Sequence, residues 1–140
     1  MFDINISALI NAFPNSSDMQ ICENTKEYLK ITHKDASGDV WDESSNLELC
    51  NSADFGIELL QIVIDGCHQG QGYGKKVLTE LIKQCQNKRI SLYSSITYYD
   101  GIMLVRSVVN QHGLHEFYRE EPTLNTDDEE DGQWYFRFIF

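Results

Sequence analysis

The sequence predicts a mixed α+β domain built on a sheet, and three patterns carry that expectation. Residues 56–96 read as strand, glycine-rich turn, amphipathic helix and strand, a βαβ unit whose two strands run parallel. Ahead of it, short alternating segments separated by polar turns read as antiparallel strands. Behind it, a further helix is followed by two strands, the last being Trp134-Tyr135-Phe136-Arg137-Phe138-Ile139-Phe140.

The 140 residues, 41% hydrophobic and 24% charged, suit one domain with a sizeable core, and neither a repeat nor a linker divides them. Residues 3–13 place Ile6, Leu9, Ile10 and Phe13 at helical spacing, and Pro14 stops the pattern. Met19 to Glu23 and Glu27 to His33 have strand character, with Leu29 and Ile31 on one face of the second and Tyr28, Lys30 and Thr32 on the other. Asp35 to Asp39 reads as a hairpin turn, Val40 to Asp42 and Leu47 to Cys50 as the interrupted return strand, and Asn51 to Asp54 as a second turn. Gly56 to Asp65 then reads as a buried central strand.

After the glycine turn, Val77, Leu78, Leu81, Ile82 and Cys85 form one apolar stripe, with Lys75, Lys76, Glu80 and Lys83 outside it. Arg89 to Ile96 is the second strand of the unit. Asp100 is placed to cap a helix whose apolar face is Met103, Leu104, Val105, Val108 and Val109, and Gly113 ends it. His115 to Arg119 and Gln133 to Phe140 read as the closing strands, the second packed into the core.

The formal net charge of −11 argues against nucleic-acid and anionic-membrane partners, because no basic stripe is present to neutralise phosphates. No run approaches the roughly 20 apolar residues of a membrane span, and no leader precedes the first helix, so a cytoplasmic protein is expected. Cys22, Cys50, Cys67 and Cys85, with His33, His68, His112 and His115, show no metal-ligand spacing, so no metal is expected.

The turn Gln69-Gly70-Gln71-Gly72-Tyr73-Gly74, followed by Lys75 and Lys76, is a candidate phosphate cradle: glycines let the backbone approach an anion, and the helix start presents N–H groups to it. A P-loop is excluded at both ends, by Gln69 in place of the first glycine and Lys76 in place of Ser/Thr. A dinucleotide fingerprint fails because Lys75 stands at its third glycine. The pattern Q/R-x-x-G-x-G/A is met by Gln69, Gly72 and Gly74, and here the chain resembles the GNAT superfamily of N-acetyltransferases. The resemblance covers about Phe55 to Phe140; the N-terminal part matches in outline only and is short.

That resemblance implies a twisted mixed sheet whose parallel central strands splay apart around acetyl-CoA. Backbone groups of Ile62, Val63 and Ile64 are implied to pair with the pantetheine arm, and those of Gln69, Gly70, Gln71, Gly72, Tyr73 and Gly74 to hold the pyrophosphate. Glu58, fourteen residues before Gly72, is the candidate general base. It is expected to share its face with Leu60, Ile62 and Ile64. Many members carry a tyrosine acid four residues before the glycine that ends the following helix, where this chain has Val109, and an Asn at its start, where it has Asp100, Gly101 and Ile102. Tyr98, Tyr99, Ser107 and Tyr118 are the substitutes available.

The implied acceptor is a primary amine on a small molecule or a Lys-bearing protein, and the acidic run Asp127, Asp128, Glu129, Glu130, Asp131 suits a polycationic one. Two other functions fit the same residues: a CoA-binding regulatory module without turnover, and an acidic protein-interaction domain. A homodimer through edge strands is also open.

Overall fold

The computed structural model describes residues 1–34, 44–123 and 129–140. Seven strands form one sheet in the order β1-β2-β3-β4-β5-β7-β6: β1 Met19–Asn24, β2 Tyr28–His33, β3 Asn46–Ser52, β4 Gly56–Val63, β5 Leu92–Tyr98, β6 Tyr118–Pro122 and β7 Gln133–Phe138. Three α-helices accompany it: α1 Ile6–Asn11, α2 Tyr73–Lys88 and α3 Tyr99–His112. All pairs are antiparallel except β4–β5. The expected turn at Asp35 to Asp39 and the strand segment Val40 to Asp42 lie outside the described residues.

The helices occupy one face. α2 packs against α1, α3 and β4, while α3 packs on β5 and β7. Asn5 caps α1 by accepting from the Ala8 N–H at 3.1 Å, and the buried Gln84 of α2 ties that cap down, accepting from Asn5 N–H at 2.8 Å and donating to its carbonyl at 3.0 Å. The expected stripe of α2 is buried as a unit, and burial pushes the Cys85 thiol up to about 12. Against it lie Leu29 and Ile31 of β2, Leu47 and Leu49 of β3, and the aromatics Trp134, Phe136 and Phe138 of β7. No described helix covers the opposite face.

Several boundaries differ from the sequence reading. β4 is not buried along its length: Ile57 is enclosed, but Leu60 is 45% exposed and the strand ends at Val63. The reason is that β5 accompanies it for two residues only. α3 starts at Tyr99, which puts Asp100 inside its first turn and not at the cap, and rotates Met103 out of the core in favour of Ile102. Gly113 ends α3 with φ +63, as expected. His115 to Phe117 form a turn, and β6 begins only at Tyr118.

The two central strands are pinned together at their base. Ile57 N–H donates to the Ser91 carbonyl at 2.8 Å, and Gly56, at φ +97, lies so close that an added Cβ would sit 2.3 Å from that oxygen. A side chain there has neither room nor an acceptable backbone conformation. Gly56→Ala is therefore expected to cost about 2 kcal/mol or more, read as a lower denaturant midpoint at unchanged m-value; an unchanged midpoint would show that the base of the strand pair can yield.

Candidate functional site

β4 and β5 pair at Ile57↔Leu92 and Glu58↔Tyr93 and then diverge. Irregularities on both flanks drive them apart. β4 has one more residue than β3 between Leu49↔Leu59 and Glu48↔Gln61, so Leu60 is extra; β5 has a matching irregularity against β7 between Ser94 and Thr97. Such bulges bend a strand and strengthen its twist. The Ser94 hydroxyl donates to the Ile96 carbonyl at 3.2 Å and accepts from Thr97 Oγ1 at 3.1 Å, which fixes the β5 bulge internally.

The result is a cleft of about 380 Å³ bounded by Leu59 to Ile62 on one side and Ser94 and Ile96 to Tyr98 on the other, with Leu78, Leu104 and Phe136 among its floor residues. Leu60, Ile96 and Tyr98 are large apolar or aromatic side chains left exposed along it. The β4 edge beyond Glu58 has no strand partner on this side.

The β4 wall of the cleft leads along the chain to the glycine turn. After Ile64 and Asp65 the chain makes a short 3-10 turn over Gly66–His68 and then enters α2 through Gly70 at φ +78 and Gly72 at φ +86. Gly72 is the N-cap, with no side-chain cap bond and no acidic residue in the first helical turn. The first N–H groups of α2 are thus left for something outside the helix, and the partial positive charge of the helix start is not offset locally. A Cβ added at Gly70 or Gly72 would meet nothing within 4 Å, so the space before the turn is open. Gly74 lies inside the helix, against Leu104 and Ile64.

A polar clasp holds the turn to the sheet. Ser45, almost fully buried, donates to Asp65 Oδ2 at 2.9 Å and accepts from the Asp65 N–H at 3.0 Å, while His68 Nδ1 lies 2.7 Å from Asp65 Oδ1. Gln69 donates to the Ile64 carbonyl at 3.0 Å, closing the turn on the strand end. Desolvation acts to raise the Asp65 pKa, but the hydrogen bonds from His68 and Ser45 outweigh it and hold the carboxyl below its ordinary value.

Glu58 sits at the vertex of the cleft, and its surroundings differ from those expected. Insertion of Leu60 shifts the alternation by one, so Ile62 pairs with Leu47 and joins Leu59 on the core side, away from Glu58. Glu58 instead points to the helix-free face, half-buried, where its Oε2 accepts from Ser95 at 2.6 Å. The aliphatic surround expected for it is absent.

The candidate acids separate cleanly. Tyr118 is turned inward on β6: burial and its 2.7 Å bond to Glu120 raise its pKa strongly, and Arg106 holds Glu120 by a two-oxygen contact at 3.0 and 3.1 Å. Val109 is buried, and neither Ser107 nor Tyr118 lines the cleft. Tyr98 does line it, and also borders an adjoining recess of about 410 Å³ with Tyr99, Asp100 and Glu130. Of the acidic run, Asp127 and Asp128 lie outside the described residues. Ser95 escaped the sequence reading because nothing in Ser-Ser-Ile-Thr signals a bulge.

A mixed sheet opened between two parallel strands, the first of which runs on into an uncapped glycine-bearing helix start, is the GNAT-like fold. Among solved structures, a Bacillus subtilis acetyltransferase in complex with CoA matches 87% of this chain and 97% of its own at a TM-score of 0.52 and 12% identity. The ribosomal-protein-S18-alanine N-acetyltransferase from Escherichia coli matches 83% of this chain and 70% of its own, with TM-score 0.50 and 12% identity. At that identity the likeness is one of fold. No protein-family model and no curated protein matches the sequence.

Because the folded pKa of Asp65 is depressed, its contribution to stability is present above the unfolded value of about 3.9 and is lost as pH falls through the folded value. Asp65→Asn is expected to lower stability by about 1–2 kcal/mol at pH 7, with the difference from the parent shrinking below pH 4. Denaturant midpoints at the two pH values test this; equal midpoints at pH 7 would show that the clasp contributes nothing.

Proposed function

We propose that residues 1–140 act as one acetyl-CoA-dependent N-acetyltransferase unit that acetylates a primary amine within a ternary complex. The observation that carries this reading is that β4 and β5 separate beyond Glu58 while β4, one wall of the gap, runs on through the glycine turn into the uncapped start of α2. The residues present fit the donor in three respects: an unpaired strand edge, an apolar gap, and open space in front of Gly70 and Gly72. A slender arm bearing amides suits such an edge, and a pyrophosphate suits a helix start. Ile62, Val63 and Ile64 would hold the arm through backbone groups, and Gln69 to Gly74 the phosphates. Lys75 and Lys76 add positive charge beside them.

Acetyl-CoA supplies the acetyl group, activated as a thioester. The chain's own part is to orient the amine and manage protons. Glu58 is placed at the vertex to take a proton from the ammonium form, and its bond to Ser95 fixes the carboxylate's orientation. Tyr98, on the cleft wall, is the hydroxyl available to protonate the departing thiolate. In this reading, further positive charges on a polycationic acceptor would meet Asp100 and Glu130 in the recess beside Tyr98. One observation favours a second reading, a CoA-binding module without turnover: Val109 is locked in the core, so α3 offers no hydroxyl at that position.

Two variants separate these readings. Gly72→Glu, which puts a carboxylate where the phosphates are expected, should abolish acetyl-CoA binding by calorimetry; retained affinity would remove the donor site from this turn. Glu58→Gln should leave acetyl-CoA affinity intact and lower kcat by about a hundredfold across an amine panel. Binding without CoA release from any amine would support the non-catalytic module.

A further inference from the structure

Cross-strand pairing builds a second feature around Glu58. Paired residues point to the same side of a sheet, and the register gives one row across the helix-free face: Tyr28, Cys50, Glu58, Tyr93, Arg137, Arg119. Arg137 and Arg119 stand directly opposite each other on β7 and β6, a like-charge pairing that costs stability. Neither has a carboxylate partner among the described residues, although acidic residues outnumber basic ones two to one, 22 to 11. Arg119 spends its guanidinium on the carbonyls of Glu116 and Tyr118, at 3.3 and 2.7 Å. Arg137 is half-buried, its Nε is fully enclosed, and that atom has no hydrogen-bond partner among the described residues.

An enclosed guanidinium donor without an acceptor is costly, and a second arginine held beside it by backbone contacts raises the cost. The enclosed Nε is out of a ligand's reach, but an anion against the terminal nitrogens would offset the two like charges facing each other on this row. The planar fork of arginine matches a carboxylate best, through two parallel bonds.

We infer that the acceptor is an amine that also carries a carboxylate, an amino acid or a peptide end, anchored by Arg137 with Arg119 while its nitrogen lies at Glu58. This rests on the transferase reading above and names its substrate class. Glu58 and Arg137 are two strands apart, about 9–10 Å between backbones at the usual spacing, a span that fits a ligand whose two groups are a few bonds apart. Tyr93, between them, is the side chain such a ligand would lie across. Its hydroxyl pKa is raised by desolvation and by Glu58, so it remains a neutral hydrogen-bonding group.

The test uses matched acceptors that differ by the carboxylate: lysine against 1,5-diaminopentane, and γ-aminobutyrate against butylamine. The carboxylated member of each pair is expected to show the higher kcat/KM by tenfold or more. In Arg137→Gln that advantage should vanish through a KM increase of about ten- to a hundredfold, while Arg137→Lys, which keeps charge but loses the fork, should fall between. Equal use of both members, or an unchanged preference in Arg137→Gln, overturns the inference. If acetyl-CoA binds but no amine is acetylated, the transferase reading fails on its own, and the anion site is read by calorimetry of γ-aminobutyrate on CoA-saturated protein. Binding weakened tenfold in Arg137→Gln then upholds the site, and absent or unaltered binding refutes it.

Discussion

The structure depends on how β4 and β5 are joined and then forced apart. Parallel strands inside a sheet normally satisfy each other's backbone groups along their whole length. Here they do so for two residue pairs, held at the base by the close contact of Gly56 with Ser91, before bulges on both flanks turn them away. The β4 edge in the cleft has no strand partner among the described residues, and Leu78, Leu104 and Phe136 lie in the lining beside it. In the proposed reading a chain-like ligand with its own amides pairs with that edge. The cleft is thus a consequence of sheet geometry.

Charge then selects which end of such a ligand sits where. The chain as a whole carries −11, which repels a polyphosphate at long range. At the glycine turn the balance reverses over a short distance: α2 begins without an acid in its first turn, and Lys75 and Lys76 follow. Screening confines each field to roughly 8–10 Å, so the local helix start outweighs the distant acidic surface. Asp65, the acid nearest the turn, has its charge spent on Ser45 and His68. It acts as a structural anchor and adds little repulsion at the cradle.

What could be read in the sequence was whatever depends on period and local chemistry. The stripe of α2, the alternation of Leu29 and Ile31, Gly113 at the end of α3, and the parallel strands of the βαβ unit all follow from spacing, and the structure has them. The errors around Glu58 share one cause. Leu60 occupies one extra position in β4, and that single insertion moves Ile62 to the core side and leaves Glu58 on the helix-free face. Bulges depend on how two strands meet, so their signal lies in neither strand alone. α3 similarly begins earlier than its polar cap suggested, which reassigned Asp100, Ile102 and Met103 by a fraction of a turn.

That same insertion gives the sheet its division of labour. Glu58, before the bulge, faces away from the helices, while Ile62, which plain alternation would put on the same face, is turned toward them. A donor seated between the strands and reaching to α2 occupies the helix side of the gap. Glu58, Ser95 and Tyr93 face the other way, so a group reacting at the vertex must arrive across the helix-free face, past Arg137 and Arg119. Two ligands approaching from opposite faces need not displace each other, which is the geometric condition for direct transfer in a ternary complex. In the reaction proposed above, the proton-handling groups lie where the two meet, between Glu58 at the vertex and Tyr98 on the cleft wall.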